Sequence, residues 1–295
     1  MDLSLFGELA INGALVGLMY GLVALGIVLI YRTSGIANLA QGALAMTGGY
    51  LTWAGANLLG LPLFVAIIVA IGAMFLVGLF IERVALRRLT GQPIIMIIML
   101  TIGLEIMLRG LVPGTLGSAA KRLDLGIPAT PIFLGDMLIS RVYLVSGGIA
   151  LALIVATLLL FYSRMGIMLR AVSDDQVASW SVGIRVEHAI GFAWGLAAIS
   201  ATAAGVLWGG SQGVDWTLSL LLVKALAIAI LGGLDSIIGI IVASIIVGVC
   251  EGLASGLLDP LVGGGTRDVV ASVIIVVTLL LKPEGLFGRE HIQRV

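Results

Sequence analysis

The chain is poor in charged residues, and this scarcity constrains its fold class more than any motif does. Only 11% of its 295 residues are Asp, Glu, Lys or Arg, whereas 60% are hydrophobic. Soluble domains carry about 25% charged and 45–50% apolar residues. A water-soluble fold of this size could not bury so much apolar surface, but a lipid bilayer accepts it. The composition therefore predicts an all-α integral membrane protein.

Other features are also missing, and each absence excludes a class of protein. Cys250 is the only cysteine, so we expect neither a disulfide framework nor a cysteine metal cluster. The 16 basic and 16 acidic residues balance, which gives no sign of a nucleic-acid partner. No GxxxxGK[ST] or HExxH motif occurs. We therefore expect a non-catalytic chain without cofactor or metal, which does not itself hydrolyse ATP.

Long apolar runs divide the chain into eight or nine segments within one membrane domain, residues 1–295. A membrane span needs about 20 mainly apolar residues. Such runs lie near 9–31, 36–59, 61–81, 93–112, 141–162, 188–210, 216–233, 237–258 and 267–281. The run 216–233 is the doubtful one, because Lys224 interrupts it and Gly232-Gly233 ends it. Eight full spans would instead need one re-entrant segment or both termini on one side of the membrane.

The distribution of lysine and arginine predicts the orientation. Ten of the 16 basic residues fall in loops that share one side: Arg32, Arg83, Arg87, Arg88, Arg164, Arg170, Arg185, Lys282, Arg289 and Arg294. Such residues accumulate on the cytoplasmic side. Nine segments then place the N-terminus outside and the C-terminus inside. The two longest loops are an outer loop, 113–140, and a polar cytoplasmic loop, 163–187.

Two patterns suggest an internal repeat. The sequences Gly35-Ile36-Ala37-Asn38 and Gly233-Leu234-Asp235-Ser236 each open an apolar segment after a polar break. Glycines also recur every four residues, at 13, 17 and 21 and again at 248, 252 and 256. Transporters are often built from related halves. In a chain with 41 glycines, chance explains the pattern equally well, and both interpretations stay open.

Side-chain amides stand in an otherwise apolar stretch near the first polar break. We expect Thr33 or Ser34 to cap a helix whose first turns carry Asn38 and Gln41 on one face. One interpretation is that these amides, with the adjacent Gly42, line a translocation path. The other is that they form hydrogen bonds between helices.

Two acidic residues lie within apolar runs. Arg109 follows Glu105 by four residues, which favours an ion pair on one helix. We expect this pair within two turns of the outer surface, and Glu251 also near the outer end of its helix without a partner close in sequence. A secondary transporter would need coupling carboxylates near the bilayer midplane. These expected positions argue against that class.

The cytoplasmic loop contains a short helix signal. Ser173 and Gln176 form a capping box around Asp174 and Asp175, and Gly183 is a natural helix stop. A helix of about ten residues is not stable alone. Its apolar residues, Val177, Ala178 and Trp180, therefore need a surface. Either the helix lies on the bilayer or it docks a cytoplasmic partner.

Four blocks of sequence resemble the permease subunits of branched-chain amino acid ABC transporters. The blocks are Gly35-Ile36-Ala37-Asn38-Leu39-Ala40-Gln41-Gly42; Gly166-Ile167-Met168-Leu169-Arg170-Ala171-Val172 with Ala178 and Gly183-Ile184; Lys224-Ala225-Leu226 with Leu231-Gly232-Gly233-Leu234-Asp235-Ser236-Ile237-Ile238-Gly239; and Lys282-Pro283-Glu284-Gly285-Leu286-Phe287-Gly288. They span residues 35 to 288 in order. Asp235 departs from the small residue expected there, and the outer loop matches no block.

The resemblance implies an importer of five parts in a bacterial inner membrane. This chain would pair with a second permease, related or identical, while two ATPase subunits drive transport and a periplasmic binding protein delivers the substrate. The segment containing Asp174, Asp175, Val177, Ala178, Trp180 and Gly183 would couple the permease to an ATPase. Relatives are associated with leucine, isoleucine and valine, but also with other amino acids, urea or small aromatic acids. A passive channel would not need the capped inner helix.

Overall fold

The computed structural model describes residues 3–89, 92–128 and 130–288, without the side chains of Leu3 and Leu134. The described part is mainly helical, as predicted, and Arg289 and Arg294 of the predicted inner tail lie outside it. The helices are α1 (Leu3–Ser34), α2 (Gln41–Asn57), α3 (Leu63–Ile81), α4 (Ile94–Leu116), α5 (Arg141–Phe161), α6 (Arg164–Asp174), α7 (Gln176–Ser181), α8 (Val186–Gln212), α9 (Leu221–Gly232), α10 (Ile237–Val262) and α11 (Thr266–Leu281). A small hairpin pairs β1 (Ile132–Leu134) with β2 (Met137–Ile139).

Nine of these helices correspond to the nine predicted runs. Within the described residues, six helices are long and apolar enough to cross a bilayer. The doubtful run 216–233 folds as a 3-10 turn, Trp216–Leu220, followed by α9. With 12 residues, α9 is about 18 Å long, well short of a hydrocarbon core of about 30 Å. It is therefore a half-length helix.

Burial separates central helices from peripheral ones. The most apolar windows of α1 and α8 are 83% and 72% buried, whereas those of α3, α4 and α5 are only 17–28% buried. Most of α2 is also buried. The peripheral helices expose large apolar side chains such as Phe64, Leu76 and Met99. Such surfaces suit lipid, so the core forms around α1, α2 and α8.

The two glycine runs pack against each other where α1 crosses α10. A Cβ added at Gly252 would lie 2.5 Å from the Leu9 carbonyl oxygen, and one at Gly17 would overlap the Ser244 carbonyl. A Cβ at Gly248 would overlap the Gly13 carbonyl. Small residues allow backbones to approach in membranes. The glycine spacing therefore has a direct packing cause.

The two long loops contact opposite ends of α1. Near its start, Asn12 donates to the Leu138 carbonyl of the hairpin at 3.0 Å. Near its end, the Thr33 carbonyl accepts from Gln176 at 3.1 Å. One boundary was wrong: α4 continues through Pro113 to Leu116, so residues 113–116 are helical and the outer loop begins at Gly117.

Candidate functional site

The cytoplasmic helix is shorter than predicted and is capped by a different residue. Ser173 is not its N-cap, because α6 continues through Ser173 to Asp174. The chain breaks at Asp175, whose carboxylate accepts from the backbone N–H groups of Val177 and Ala178 at 2.8 and 2.9 Å. Asp175 therefore caps α7, which has six residues instead of about ten. A carboxylate is favourable at an N-cap because it accepts hydrogen bonds from the free N–H groups and its charge complements the helix dipole.

The predicted stop and apolar flank of this helix are both present. Gly183 follows α7 with φ of 86°, a left-handed conformation that glycine adopts without steric cost. Val177 and Trp180 are 78% and 75% exposed, and Ala178 is also exposed. The helix is held at the inner end of α1 by Gln176. This exposed apolar flank has no partner within the described chain.

The sequence predicts Asn38 and Gln41 on one face of a single helix. In the structure the two side chains contact each other, but the residues do not share a helix. Asn38 lies in the link after α1, Gln41 is the first residue of α2, and Thr33 and Ser34 end α1 instead of capping α2. Asn38 donates to Gln41 at 3.2 Å, and Gln41 donates to the Ala197 carbonyl of α8 at 2.8 Å. Both side chains are 0% exposed. These are the interhelical hydrogen bonds that the sequence left open, and a role in the path stays a prediction.

Gly42 lets the start of α2 approach the chain just before α9. A Cβ at Gly42 would overlap the Ser219 carbonyl of the 3-10 turn. Two non-helical links contact the central helices at different points. In the link 35–40, Asn38 donates to Gln41 at the start of α2, and in the link 213–215, Val214 lies beside Gly49 of α2 and Gly209 of α8. Irregular backbone at membrane depth is tolerated where protein buries it or where it lines a cavity.

The acidic residues of the spans lie further from their helix ends than expected. Glu105 is eleven residues from either end of α4, and its i,i+4 ion pair with Arg109 has a separation of 3.4 Å. Glu251 is eleven residues from the end of α10, about 16 Å along the helix. Both helices extend four residues beyond the predicted runs, so each carboxylate is further from its helix end than the sequence predicts.

Glu251 also has a partner that sequence reasoning missed. Lys224 on α9 lies 3.0 Å from Glu251 and 3.1 Å from Asp268 on α11, and its ammonium stands 5.5 Å from the centre of the Tyr20 ring. The signal was a lone lysine and a lone glutamate in neighbouring apolar runs. Twenty-seven residues separate them, so only the packing of α9 on α10 brings them together. Intramembrane charges of this kind mark functional sites by default.

The tail block closes the inner end of α9. Leu286 and Phe287 donate their N–H groups to the carbonyls of Leu231 and Gly232 at 2.7 and 3.2 Å. Gly285 has φ of 77°, and a Cβ there would lie 2.5 Å from the Ile230 carbonyl. A helix end leaves such carbonyls without intrahelical partners. The tail supplies the missing donors.

Among the residues that the structure describes, no group of three or more His, Cys, Asp or Glu side chains is placed to hold a metal ion. The geometry defines a polytopic helical membrane protein with a buried ion cluster between its spans and an exposed short helix at one end. Such a class includes the membrane subunits of transporters.

Comparison with known families identifies the family within this class. The family model described as "Branched-chain amino acid transport system / permease component" matches residues 9–281, and the chain belongs to this family. The predicted resemblance is thereby confirmed.

Curated relatives cover nearly the whole chain. The high-affinity branched-chain amino acid transport system permease protein LivH of Salmonella typhimurium is 30% identical over 96% of both chains. The corresponding permease BraD of Pseudomonas aeruginosa is 29% identical over 97% of this chain and 96% of its own. Among solved structures, PsaBC from Streptococcus pneumoniae in complex with Fab aligns over 94% of this chain and 92% of that chain, with a TM-score of 0.46 and 17% identity. The family assignment does not depend on that structure.

Proposed function

We propose that this chain is a membrane-spanning subunit of an ATP-driven importer that moves branched-chain amino acids from the periplasm to the cytoplasm. It would work in a bacterial inner membrane with a second permease, related or identical, two ATPase subunits and a periplasmic binding protein. Family membership and the names of the relatives support the substrate class. Other amino acids, urea and small aromatic acids remain the alternative substrates.

The observation that carries this proposal is the exposed apolar flank of α7. Val177 and Trp180 are mostly exposed on a six-residue helix that Asp175 caps and Gly183 ends. An isolated helix of this length would not persist. Recognition of a helix in a groove uses apolar anchors at this spacing. An ATPase surface is the partner that family membership suggests, and Asp174 would lie at the edge of that contact.

Transport would proceed by alternating access. A ligand shifts a conformational equilibrium only if it binds the two states with different affinity. The loaded binding protein and ATP must therefore each prefer one conformation of the assembly. The chain has no phosphate-binding loop of its own. The conformational change that ATP drives in the ATPase subunits would therefore be transmitted to this chain through α7.

The test places a charge on the apolar flank. Ala178→Asp would bury an unpaired carboxylate in the contact, at a cost of about 1–3 kcal/mol. The variant should insert in the membrane but lose the ATPase subunits on affinity purification, or retain them without leucine uptake in liposomes. His188→Asp is the matched control, because His188 is exposed just beyond the same loop. Gly183→Val should act in the same direction, more weakly, by disturbing the helix exit.

Normal ATPase recovery with wild-type uptake in Ala178→Asp would mean that α7 lies on the bilayer. Absence of ATP-dependent uptake in the wild-type complex, for leucine and for the alternative substrates, would overturn the proposed function itself. A secondary transporter or channel would instead show uptake without any ATPase subunit.

A further inference from the structure

A recess opens in the lipid-facing surface between α3 and α5. Ile67 and Ile71 of α3 lie along one side of it, Ile149 and Leu153 of α5 lie along the other, and Val206 of the central helix α8 lies beneath. Its volume is about 330 Å³, and ligand sites in proteins have volumes of about 300–1,000 Å³. This α3–α5 recess is therefore a site with walls on several sides and room for a ligand.

Both ends of the α3–α5 recess are closed by packing. At the outer-loop end Leu125 and Ile127 line it, and a Cβ at Gly210 of α8 would overlap the Leu125 side chain. Beyond the other end α3 and α8 pack tightly, since a Cβ at Gly78 would lie 2.5 Å from the Trp194 carbonyl oxygen. The two helices therefore separate only in the half of the membrane domain that faces the outer loop.

The length of the recess matches one leaflet of a bilayer. Along α3 it extends from Leu63 to Ile71, and along α5 from Val145 to Leu153, eight residues further on in each case. Eight residues of α-helix rise about 12 Å, and half of the hydrocarbon core measures about 15 Å. A spanning helix of another subunit would make contact over the full core. The recess instead fits a chain that ends near the midplane.

The lining of the recess excludes a polar ligand. All the described side chains around it belong to Leu, Ile, Val or Ala. A zwitterionic amino acid would find no partner for its charges here, and burial of unpaired charge is costly. Ile68 of α3 and Leu144 of α5 are exposed on the same two helices, so the recess opens towards hydrocarbon. An aliphatic chain from the bilayer is the ligand that this lining fits.

A basic side chain stands at the outer mouth of the recess. Arg141 precedes Val145 by four residues on α5, so the two lie on one helix face about 6 Å apart along the axis. Arg141 takes part in none of the ion pairs found among the described residues. A long basic side chain near the end of a span extends to the level of the headgroups. Its charge is therefore available to an anionic group above the recess.

We propose that the α3–α5 recess binds an acyl chain of a phospholipid from the leaflet on the outer-loop side, with Arg141 contacting the anionic headgroup. The acyl chain fills the space between α3 and α5 down to the midplane, and the headgroup phosphate neutralises the guanidinium. The bound lipid also contacts Leu125 and Ile127, so it holds the outer loop in place. The inference is independent of the substrate that the chain transports.

The experiment measures retained lipid by native mass spectrometry of the purified full chain. The protein is incubated in detergent with equimolar phosphatidylglycerol, which is anionic, and phosphatidylcholine, which has no net charge. Arg141→Gln removes the charge at the mouth, and Arg267→Gln is the matched control because Arg267 also lies in the first turn of a helix. Ala203→Phe fills the recess from α8, and Val65→Phe on the exposed face of α3 is its control.

We expect the wild type to retain one phosphatidylglycerol at least fivefold in excess over phosphatidylcholine. Arg141→Gln should reduce this preference to less than twofold, whereas Arg267→Gln should keep it. Ala203→Phe should lower retention of both lipids at least fivefold relative to Val65→Phe. Circular dichroism shows whether each variant is folded, and if Ala203→Phe is not, the two arginine variants decide.

Equal retention of the two lipids by the wild type would overturn the inference, as would equal preferences in Arg141→Gln and Arg267→Gln. The competing occupant is a second permease subunit. Ile149→Cys in a Cys250→Ala background tests it by cysteine cross-linking in native membranes, and we expect no cross-link to another permease chain. An efficient cross-link would mean that a subunit covers the recess, and would also overturn the inference.

Discussion

The ammonium of Lys224 on α9 lies 3.0 Å from a carboxylate oxygen of Glu251 on α10, and both side chains are largely buried. The pair fastens a half-length helix to a full span. Removing one partner of a buried pair leaves an uncompensated charge, which costs about 3–5 kcal/mol. The pair is therefore expected to stabilise the position of α9.

We expect Lys224→Met to lower the thermal unfolding midpoint of the purified protein in detergent markedly. The double variant Lys224→Met with Glu251→Leu should recover most of that loss, because no charge then remains buried without a partner. Arg185→Met is the control, since Arg185 is exposed in the loop 163–187 and surface charges contribute about 0–1 kcal/mol. Equal shifts for Lys224→Met and Arg185→Met would contradict this account.

The glycine crossing of α1 and α10 should tolerate no added methyl group. In Gly248→Ala the new Cβ would overlap the Gly13 carbonyl, so the helices must separate. Overpacking typically costs about 1–3 kcal/mol. Gly72→Ala on α3 is the control, because nothing lies within 4 Å of a Cβ there. A thermal midpoint for Gly248→Ala that is no lower than for Gly72→Ala would show that the helices can part freely.

The amides at the α2 start test the path hypothesis. Gln41→Leu removes the side chain that donates to the Ala197 carbonyl, but that carbonyl still accepts from Ser200 at 2.9 Å. The variant also removes the acceptor of the Asn38 amide N–H. Leaving this buried donor without a partner costs about 1–3 kcal/mol. We expect this variant and Asn38→Leu to reduce uptake while the complex remains intact on size-exclusion chromatography. Normal uptake, or loss of uptake only through loss of the complex, would favour the packing role.

The outer loop is predicted to carry part of the docking surface for the binding protein. Within it Leu123 is buried and Leu125 packs against Gly210, so replacing the segment 116–126 would disturb the fold as well as any contact. Phe133 at the hairpin is 73% exposed and offers a cleaner change. Phe133→Ala should weaken stimulation of ATPase activity by loaded binding protein severalfold. Phe64→Ala, 74% exposed on α3, is the control, and equal stimulation in both variants would remove the idea.

The tail is expected to hold the inner end of α9 in place. Gly285→Ala introduces both a strained left-handed residue, at about 1–3 kcal/mol, and a clash with the Ile230 carbonyl. Amide hydrogen exchange at Leu286 and Phe287 should accelerate at least tenfold. Gly135→Ala carries similar strain, with φ of 66°, but meets nothing within 4 Å. Unchanged exchange in Gly285→Ala would mean that the tail is not needed to cap α9.

The sequence by itself determined the membrane class, the apolar runs that fold as helices, and the family. A membrane span can be recognised from composition alone, because crossing the bilayer requires about 20 mainly apolar residues. It also predicted the Gly183 stop and the exposed apolar flank, because capping and helix termination depend on neighbouring residues. The predicted cap of this helix was nevertheless Ser173, whereas Asp175 is the cap in the structure. Both residue types are good caps, and α6 continues past Ser173 to Asp174.

Only the tertiary structure decided which distant residues meet. Lys224 and Glu251 look like isolated charges in sequence, and the glycine runs of α1 and α10 look like a repeat. Asn38 and Gln41 look like one helix face, although a break in the chain lies between them. Each of these relationships depends on how helices cross, which no local pattern encodes. The distance of Glu105 and Glu251 from their helix ends likewise depends on helices that extend beyond the apolar runs, because backbone hydrogen bonds continue a helix where the hydrophobic run has already stopped.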